Sequence, residues 1–126
     1  RDLADPFEAA AAHGVETVRR ILAAPIDSAN DDYRLFYNVN FPPTTATGVL
    51  GTRVGSQGFR RDTYFGVEPH QSPSGRKFLW IKGGEQHRPT APGSDARANL
   101  EGYISVTPMR ANLTAHDALD ALKAIE

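Results

Sequence analysis

Asn38 and Asn40 are the two residues of this 126-residue chain whose type and spacing best suit a ligand. Two positions apart on an extended run, they project to one side while Tyr37, Val39 and Phe41 project to the other. Polar groups at the carboxyl end of a strand are where α/β proteins hold small molecules. The competing reading is that these amides satisfy backbone groups of the loop that follows. Asn30, Asp31 and Asp32 are a tempting acidic run, but it follows Asp27, Ser28 and Ala29 and leads into Tyr33, so it reads as a solvated turn. His13, His70, His87 and His116 stand singly, with no spacing that sets two ligands on one face; most read as surface residues. No Ser/His/Asp arrangement is recognisable from order alone, and Gly55 to Gly58 and Gly83 Gly84 lack the Lys and Ser/Thr of a phosphate loop. The sequence therefore assigns no catalytic residue and no metal ligand. Arg53, Arg60, Arg61, Arg76 and Lys77 alternate with Phe59, Tyr64, Phe65 and Trp80, a mixture that grips phosphate or stacks a base, or equally one that charges the edges of an amphipathic hairpin.

The bulk properties narrow the partners. Fourteen basic and fifteen acidic side chains leave a net charge of −1, no global field for nucleic acid or anionic membrane. With 40% hydrophobic and 23% charged residues, one domain with a core of useful size is expected. The absence of cysteine rules out disulfides and thiolate sites and fits a reducing cytoplasm. No apolar run approaches the roughly 18 residues of a membrane span. A start at Arg1 without a basic and apolar leader reads as a cut or processed end.

The elements that must position these residues follow from periodicity and punctuation. Asp5, Pro6 and Glu8 read as N-cap, first helical position and capping-box partner of a helix over about 6–24, whose stripe Phe7, Ala11, Val15, Val18 and Leu22 must be buried. A strand over 35–41 stops at Pro42 and Pro43. Short strands are expected at 49–54, 63–67 and 77–82, the last two forming a hairpin with its tip over 68–76. Residues 83–95 read as a long loop. A strand over 103–107 should stop at Pro108, and Thr114 with Asp117 should cap a helix running to the chain end with Leu119, Leu122 and Ile125 on one stripe. Three stretches result: helix and core strand over 1–42, a β-rich part over 43–110 with a hairpin arm at about 63–82, and a C-terminal helix over 111–126. This order lacks the alternation of a complete doubly wound sheet, so a further segment or a partner chain is expected to cover the first helix and strand.

Several blocks together resemble the C-terminal half of the SurE family, survival proteins that are metal-dependent 5'/3'-nucleotidases. They are Asn38 Val39 Asn40 Phe41 Pro42; Gly51 Thr52 Arg53 Val54; Pro73 Ser74 Gly75 Arg76 leading to Leu79 Trp80 Ile81; Gly93 Ser94 Asp95; and Glu101 through Pro108, running on to Leu113 Thr114 Ala115 His116. The resemblance implies a parent α/β fold with a Rossmann-like three-layer core, of which this chain is the C-terminal part, mixed α+β. It implies a parent that hydrolyses nucleoside monophosphates with Mn²⁺ or Mg²⁺ polarising the phosphoryl group and activating water. The family's paired metal-binding aspartates have no counterpart here, so this chain alone is expected to bind no metal and to be inactive, with nucleotides engaged through the other half. The resemblance also implies a homo-dimer or tetramer assembled through the hairpin and terminal helix, with contacts at Trp80, Asn112, His116, Leu119 and Leu122. Asn112 stands where family members carry Asp and Ser94 where Thr is common. The competing reading is a self-sufficient, non-enzymatic binding or oligomerisation module; a nucleic-acid-binding β module is disfavoured by the neutral charge.

Overall fold

The first helix of the chain, α1 (Glu8–Ala23), is anchored through both backbone groups of one residue, Ala46. Glu8 Oε1 accepts from the Ala46 N–H at 2.9 Å and His13 Nε2 donates to the Ala46 carbonyl at 2.8 Å, clamping α1 to a 3₁₀ turn over Ala46–Gly48. The structure, a computed structural model, describes residues 3–26, 35–61, 63–85 and 87–125; the Asn30 to Asp32 run lies outside them. The expected capping box is corrected: the helix starts at Glu8 with Phe7 as N-cap and no capping side chain, Asp5 instead accepts from the Phe7 N–H at 2.8 Å ahead of the helix, and Glu8 is committed to Ala46.

The strands are β1 (Leu35–Asn40), β2 (Thr52–Val54), β3 (Gly66–Gln71), β4 (Lys77–Lys82) and β5 (Ile104–Arg110). Three of them make a mixed sheet in the order β1-β5-β2, with β1 antiparallel and β2 parallel to the central strand. Ile104, Ser105, Val106 and Thr107 of β5 are all buried, as befits a strand covered on both faces. The register sets Tyr37 opposite Pro108 and Val39 opposite Val106 on one face, and Asn38 opposite Thr107 and Asn40 opposite Ser105 on the other. The first face meets α1, where Thr17, Ile21 and Ala24 approach Tyr37, Thr52, Val54 and Val106 across an apolar cavity of about 230 Å³. The second meets α2 (Asp95–Leu100), which packs Ala98 against β5. The result is a small helix, sheet, helix sandwich.

Several expectations are corrected. The stripe Phe7, Val15, Val18 and Leu22 is exposed, up to 79% at Leu22; the helix instead packs Ala9, Thr17, His13 and Gly14 inward. Gly14 sits against Phe41, and Thr17 is buried without penalty because its hydroxyl donates to the His13 carbonyl at 2.9 Å. The core is also smaller than composition suggests. Among the described residues the buried apolar side chains are Ala9, Ala98, Ile104 and Val106, with Pro42 beside them.

α2 begins where the loop expected over 83–95 ends, in a stretch for which no element was expected; Ser94 creates it, accepting from the Arg97 N–H at 3.2 Å. The strand at Pro108 does not stop but continues to Arg110, because β2 ends opposite Val106 and leaves that side of β5 an edge where a missing N–H costs nothing. The hairpin exists with β3 shifted to later residues, so its tip shortens to Ser72–Arg76, closed by Gly75 at φ 82° and by the Ser72 N–H donating to the Arg76 carbonyl at 2.9 Å. The C-terminal helix breaks into 3₁₀ turns flanking a single α-turn, α3 (Leu119–Leu122). Thr114 does not cap it. Asn112 Oδ1 takes the Thr114 N–H at 3.0 Å, and the start, Ala115, has no capping side chain.

Candidate functional site

Alternation along β1 places Asn38 and Asn40 on the α2 face, as their spacing requires, and both line an open cleft of about 430 Å³ between β1 and α2. Arg60, His87, Asp95 and Asn99 complete its polar lining, with Gln57 at the same wall. These side chains come from four separate segments.

The segment after β2 is stapled to the start of α2. The Ser56 N–H donates to the Gly93 carbonyl at 3.2 Å and the Asp95 N–H to the Ser56 carbonyl at 2.9 Å. Asp95 Oδ1 then accepts from the Gly58 N–H at 2.7 Å and from its neighbour Ala96 at 2.6 Å. Gly58 is required here because a Cβ would stand 2.9 Å from that oxygen and 3.1 Å from Ala96 Cβ. Ser94, beneath it, exchanges a 2.7 Å hydrogen bond with Thr90 and donates to the Ala91 carbonyl at 2.8 Å. The frame of the cleft is thus rigid on the α2 side.

Its donors are less satisfied than its frame. Among the described residues Arg60 Nε and Asn99 Nδ2 find no hydrogen-bond partner and are shielded from solvent, and the hydroxyls of Ser105 and Thr107, on the same sheet face as Asn40 and Asn38 but outside the cleft lining, are in the same state. Each such group costs about 1–3 kcal/mol relative to a paired one. The carboxylate of Asp95 is already engaged by backbone amides. The amides of Asn38, Asn40, Gln57 and Asn99 give the cleft donors and acceptors alike, and Arg60 adds a cation.

Next to it lies a charge cluster with a structural role. Glu101 accepts from Arg97 Nε and from Arg53 Nη1, each at 2.5 Å, and the Arg53 guanidinium stacks 3.7 Å over the Tyr103 ring. Arg97 first and Arg53 second hold the Glu101 carboxyl below the usual range, and the Glu101 hydrogen bond raises Arg53. The cluster ties α2 to β2.

The remaining sequence candidates are dispersed. Trp80 is 58% exposed on a hairpin face that also carries His70 and Phe78, their rings stacked at 5.8 Å, with Lys82 bonded to Glu68 at 3.2 Å. Val67, Pro69, Leu79 and Ile81 occupy the other face, also exposed. Asn112 Nδ2 donates to His116 Nε2 at 3.1 Å, and Leu119 and Leu122 lie exposed in the last turns. The basic and aromatic residues of the middle segment are not gathered: Arg53 is bound to Glu101, Arg60 lines the cleft, Arg61 lines a different groove and Arg76 sits at the hairpin tip. Among the described residues no group of three or more His, Asp or Glu side chains could hold a metal ion. No helix is long and apolar enough to cross a membrane among the described residues.

Alternation put Asn38 and Asn40 on one strand face from sequence alone, whereas the convergence of Arg60, His87, Asp95 and Asn99 upon the same cavity was not read. The available signal was Ser94 followed by Asp95 and Ala96, a helix start inside a Gly/Pro-rich run.

Fold and cleft define a mixed α/β unit with polar side chains at the carboxyl end of a sheet strand. Compared with known proteins, it matches no family model. It is 66% identical over 123 residues to a protein of Cereibacter sphaeroides named 5'-nucleotidase SurE, covering 98% of this chain and 47% of that protein. A protein of the same name from Roseobacter denitrificans is 65% identical over 122 residues, 96% of this chain and 46% of its own length. The crystal structure of the SurE protein from Aquifex aeolicus superposes with a TM-score of 0.65 at 30% identity, over 99% of this chain and 48% of that one. The chain belongs to the SurE family, corresponds to the C-terminal half of its members, and spans about half the length of the curated relatives it matches.

Proposed function

We propose that this chain serves as the C-terminal half of a metal-dependent phosphohydrolase acting on nucleoside 5'- or 3'-monophosphates. The observation that carries the reading is the 66% identity, across nearly the whole chain, to half of a protein named 5'-nucleotidase SurE. The division of labour follows from what this half contains. Among the described residues no cluster of His, Asp or Glu could hold a metal ion, and the reading places Mn²⁺ or Mg²⁺ in the other half. What these residues supply is a framed polar cleft and completion of the fold, and the chain alone is inactive. The absence of cysteine fits a cytoplasmic setting.

The same half supports subunit assembly. A two-stranded hairpin exposed on both faces and a single-turn α3 are marginal alone, and docking on a second copy accounts for their persistence. Trp80, Leu119, Leu122 and the Asn112–His116 pair are the proposed contacts. Removing residues 114–126 shifts the assembly to smaller species in light scattering, and an unchanged mass contradicts this role.

The activity is tested with a chimera in which this chain replaces the matching half of the Cereibacter sphaeroides relative. Release of phosphate from nucleoside monophosphates is expected, and its absence in a folded chimera contradicts the reading. A non-enzymatic module is the second reading, favoured by the lack of a metal-holding cluster among the described residues; it predicts a folded, assembled and inactive chimera.

A further inference from the structure

We propose that the outer edge of β4 takes up the same strand of a second copy of this chain, antiparallel about a two-fold axis at Trp80, so that two hairpins become one four-stranded sheet. The proposal rests on the assembly reading for the existence of a second copy, and adds the edge and register at which the copies join.

β3 and β4 form a two-stranded sheet of their own, so among the described residues both outer edges of the hairpin are open. The two edges are not equivalent. The Ser72 N–H donates to the Arg76 carbonyl at 2.9 Å, which makes Ser72 and Arg76 a hydrogen-bonded pair of the ladder. Bonded and non-bonded pairs alternate along antiparallel strands, so Pro69 and Leu79 face each other in a non-bonded pair and turn their backbone groups outward. On β3 the outward row is Val67, Pro69 and Gln71, broken at its centre because proline has no N–H to give. On β4 it is Lys77, Leu79 and Ile81, complete in donors and acceptors. Pro69 thus closes one edge and leaves the other as a template for an added strand. That strand is apolar from Phe78 to Ile81, with Leu79 and Ile81 each 70% exposed.

Charge selects the register and the occupant. A two-fold axis relating antiparallel strands stands perpendicular to the sheet, so a register centred on a residue is required to keep like faces together. Centred on Leu79, Lys82 would lie opposite Arg76 of the second copy, and like charges directly opposite repel. Centred on Trp80, Lys82 lies opposite Phe78 of the second copy, Leu79 lies opposite its Ile81, and the two Trp80 rings meet at the axis. Lys82 is held by Glu68 at 3.2 Å, so it reaches that ring with its charge balanced. β4 is therefore complementary to itself.

The test uses the absence of cysteine, which lets one introduced thiol report on its own counterpart in a second copy. Trp80→Cys is expected to give a disulfide-linked dimer with oxidised glutathione, because Cα atoms opposite in a non-bonded pair are about 4.5 Å apart. Leu79→Cys and Ile81→Cys are expected to link when mixed and not alone. Leu79→Pro removes an outward N–H and spares every bond between β3 and β4, so the mass in light scattering should fall about twofold. Val67→Pro, outward on β3, should leave it unchanged. An unchanged mass in Leu79→Pro, or a dimer yield in Trp80→Cys no higher than in Leu79→Cys alone, overturns the proposal; the cysteine variants decide if Leu79→Pro loses its dispersed spectrum. Deletion of residues 114–126 separates the two claims. If it lowers the mass while Leu79→Pro does not, the assembly reading stands and the β4 edge falls. A parent chain that is monomeric at every concentration removes both.

Discussion

Gly58 shows how closely the cleft is fitted. Its N–H reaches Asp95 Oδ1 at 2.7 Å, and a methyl group there would press on the same oxygen at 2.9 Å. Gly58→Ala is expected to separate the segment after β2 from α2 and cost about 1–3 kcal/mol, read from urea unfolding, with the loss concentrated at Asp95. Ser94→Ala removes the helix cap and the Thr90 contact together; about 1–2 kcal/mol is expected from the same measurement. Glu101 adds a pH dependence of definite sign. Its carboxyl lies below the ordinary value when folded, through Arg97 and then Arg53, so the folded state binds this proton less readily than the unfolded chain. The contribution is therefore complete above the ordinary glutamate range and is lost as pH falls through the depressed folded value. Urea midpoints taken between about pH 5 and about pH 3 should fall, and the fall should be smaller in Glu101→Gln. Equal slopes in the two proteins would assign the acid sensitivity elsewhere.

At the scale of elements, legibility tracked length and punctuation. β1 and β4 are readable because Leu35 to Asn40 alternates before Pro42, and Lys77 to Lys82 follows a Ser/Gly turn. α2 is six residues long, too short for helical periodicity, and its start is disguised among Gly93, Pro92 and Pro89. With α2 unread, only the β1 half of the cleft was visible, because Asn38 and Asn40 can be placed by alternation whereas Arg60, His87 and Asn99 meet them only after tertiary folding. α1 misled for a different reason. It carries two faces that can be packed, and the small one bearing Ala9, Gly14 and Thr17 is used within this chain, while Phe7, Val15, Val18 and Leu22 stay exposed. Leu22→Glu should therefore change the stability of this chain by no more than about 0.5 kcal/mol, yet weaken the full-length chimera by about 1–3 kcal/mol, since the exposed stripe is the surface that the other half has to cover. A large loss in the isolated chain would show that the stripe is already packed there.

The whole molecule carries the same imbalance. So few buried apolar side chains, among the described residues, are a meagre core for a sequence that is 40% hydrophobic. Composition could not reveal this, because it counts apolar residues without locating their partners. The curated relatives that this chain matches are about twice as long, and the proposed function assigns the outer face of α1 and the hairpin to contacts outside this chain. The proposed function divides the active site, with the metal held outside this chain. The most direct test is Mn²⁺-dependent phosphate release from nucleoside monophosphates by this chain alone, by the N-terminal half of the Cereibacter sphaeroides relative alone, and by the two mixed. The account predicts no release from either alone and release on mixing; hydrolysis by this chain by itself would contradict it.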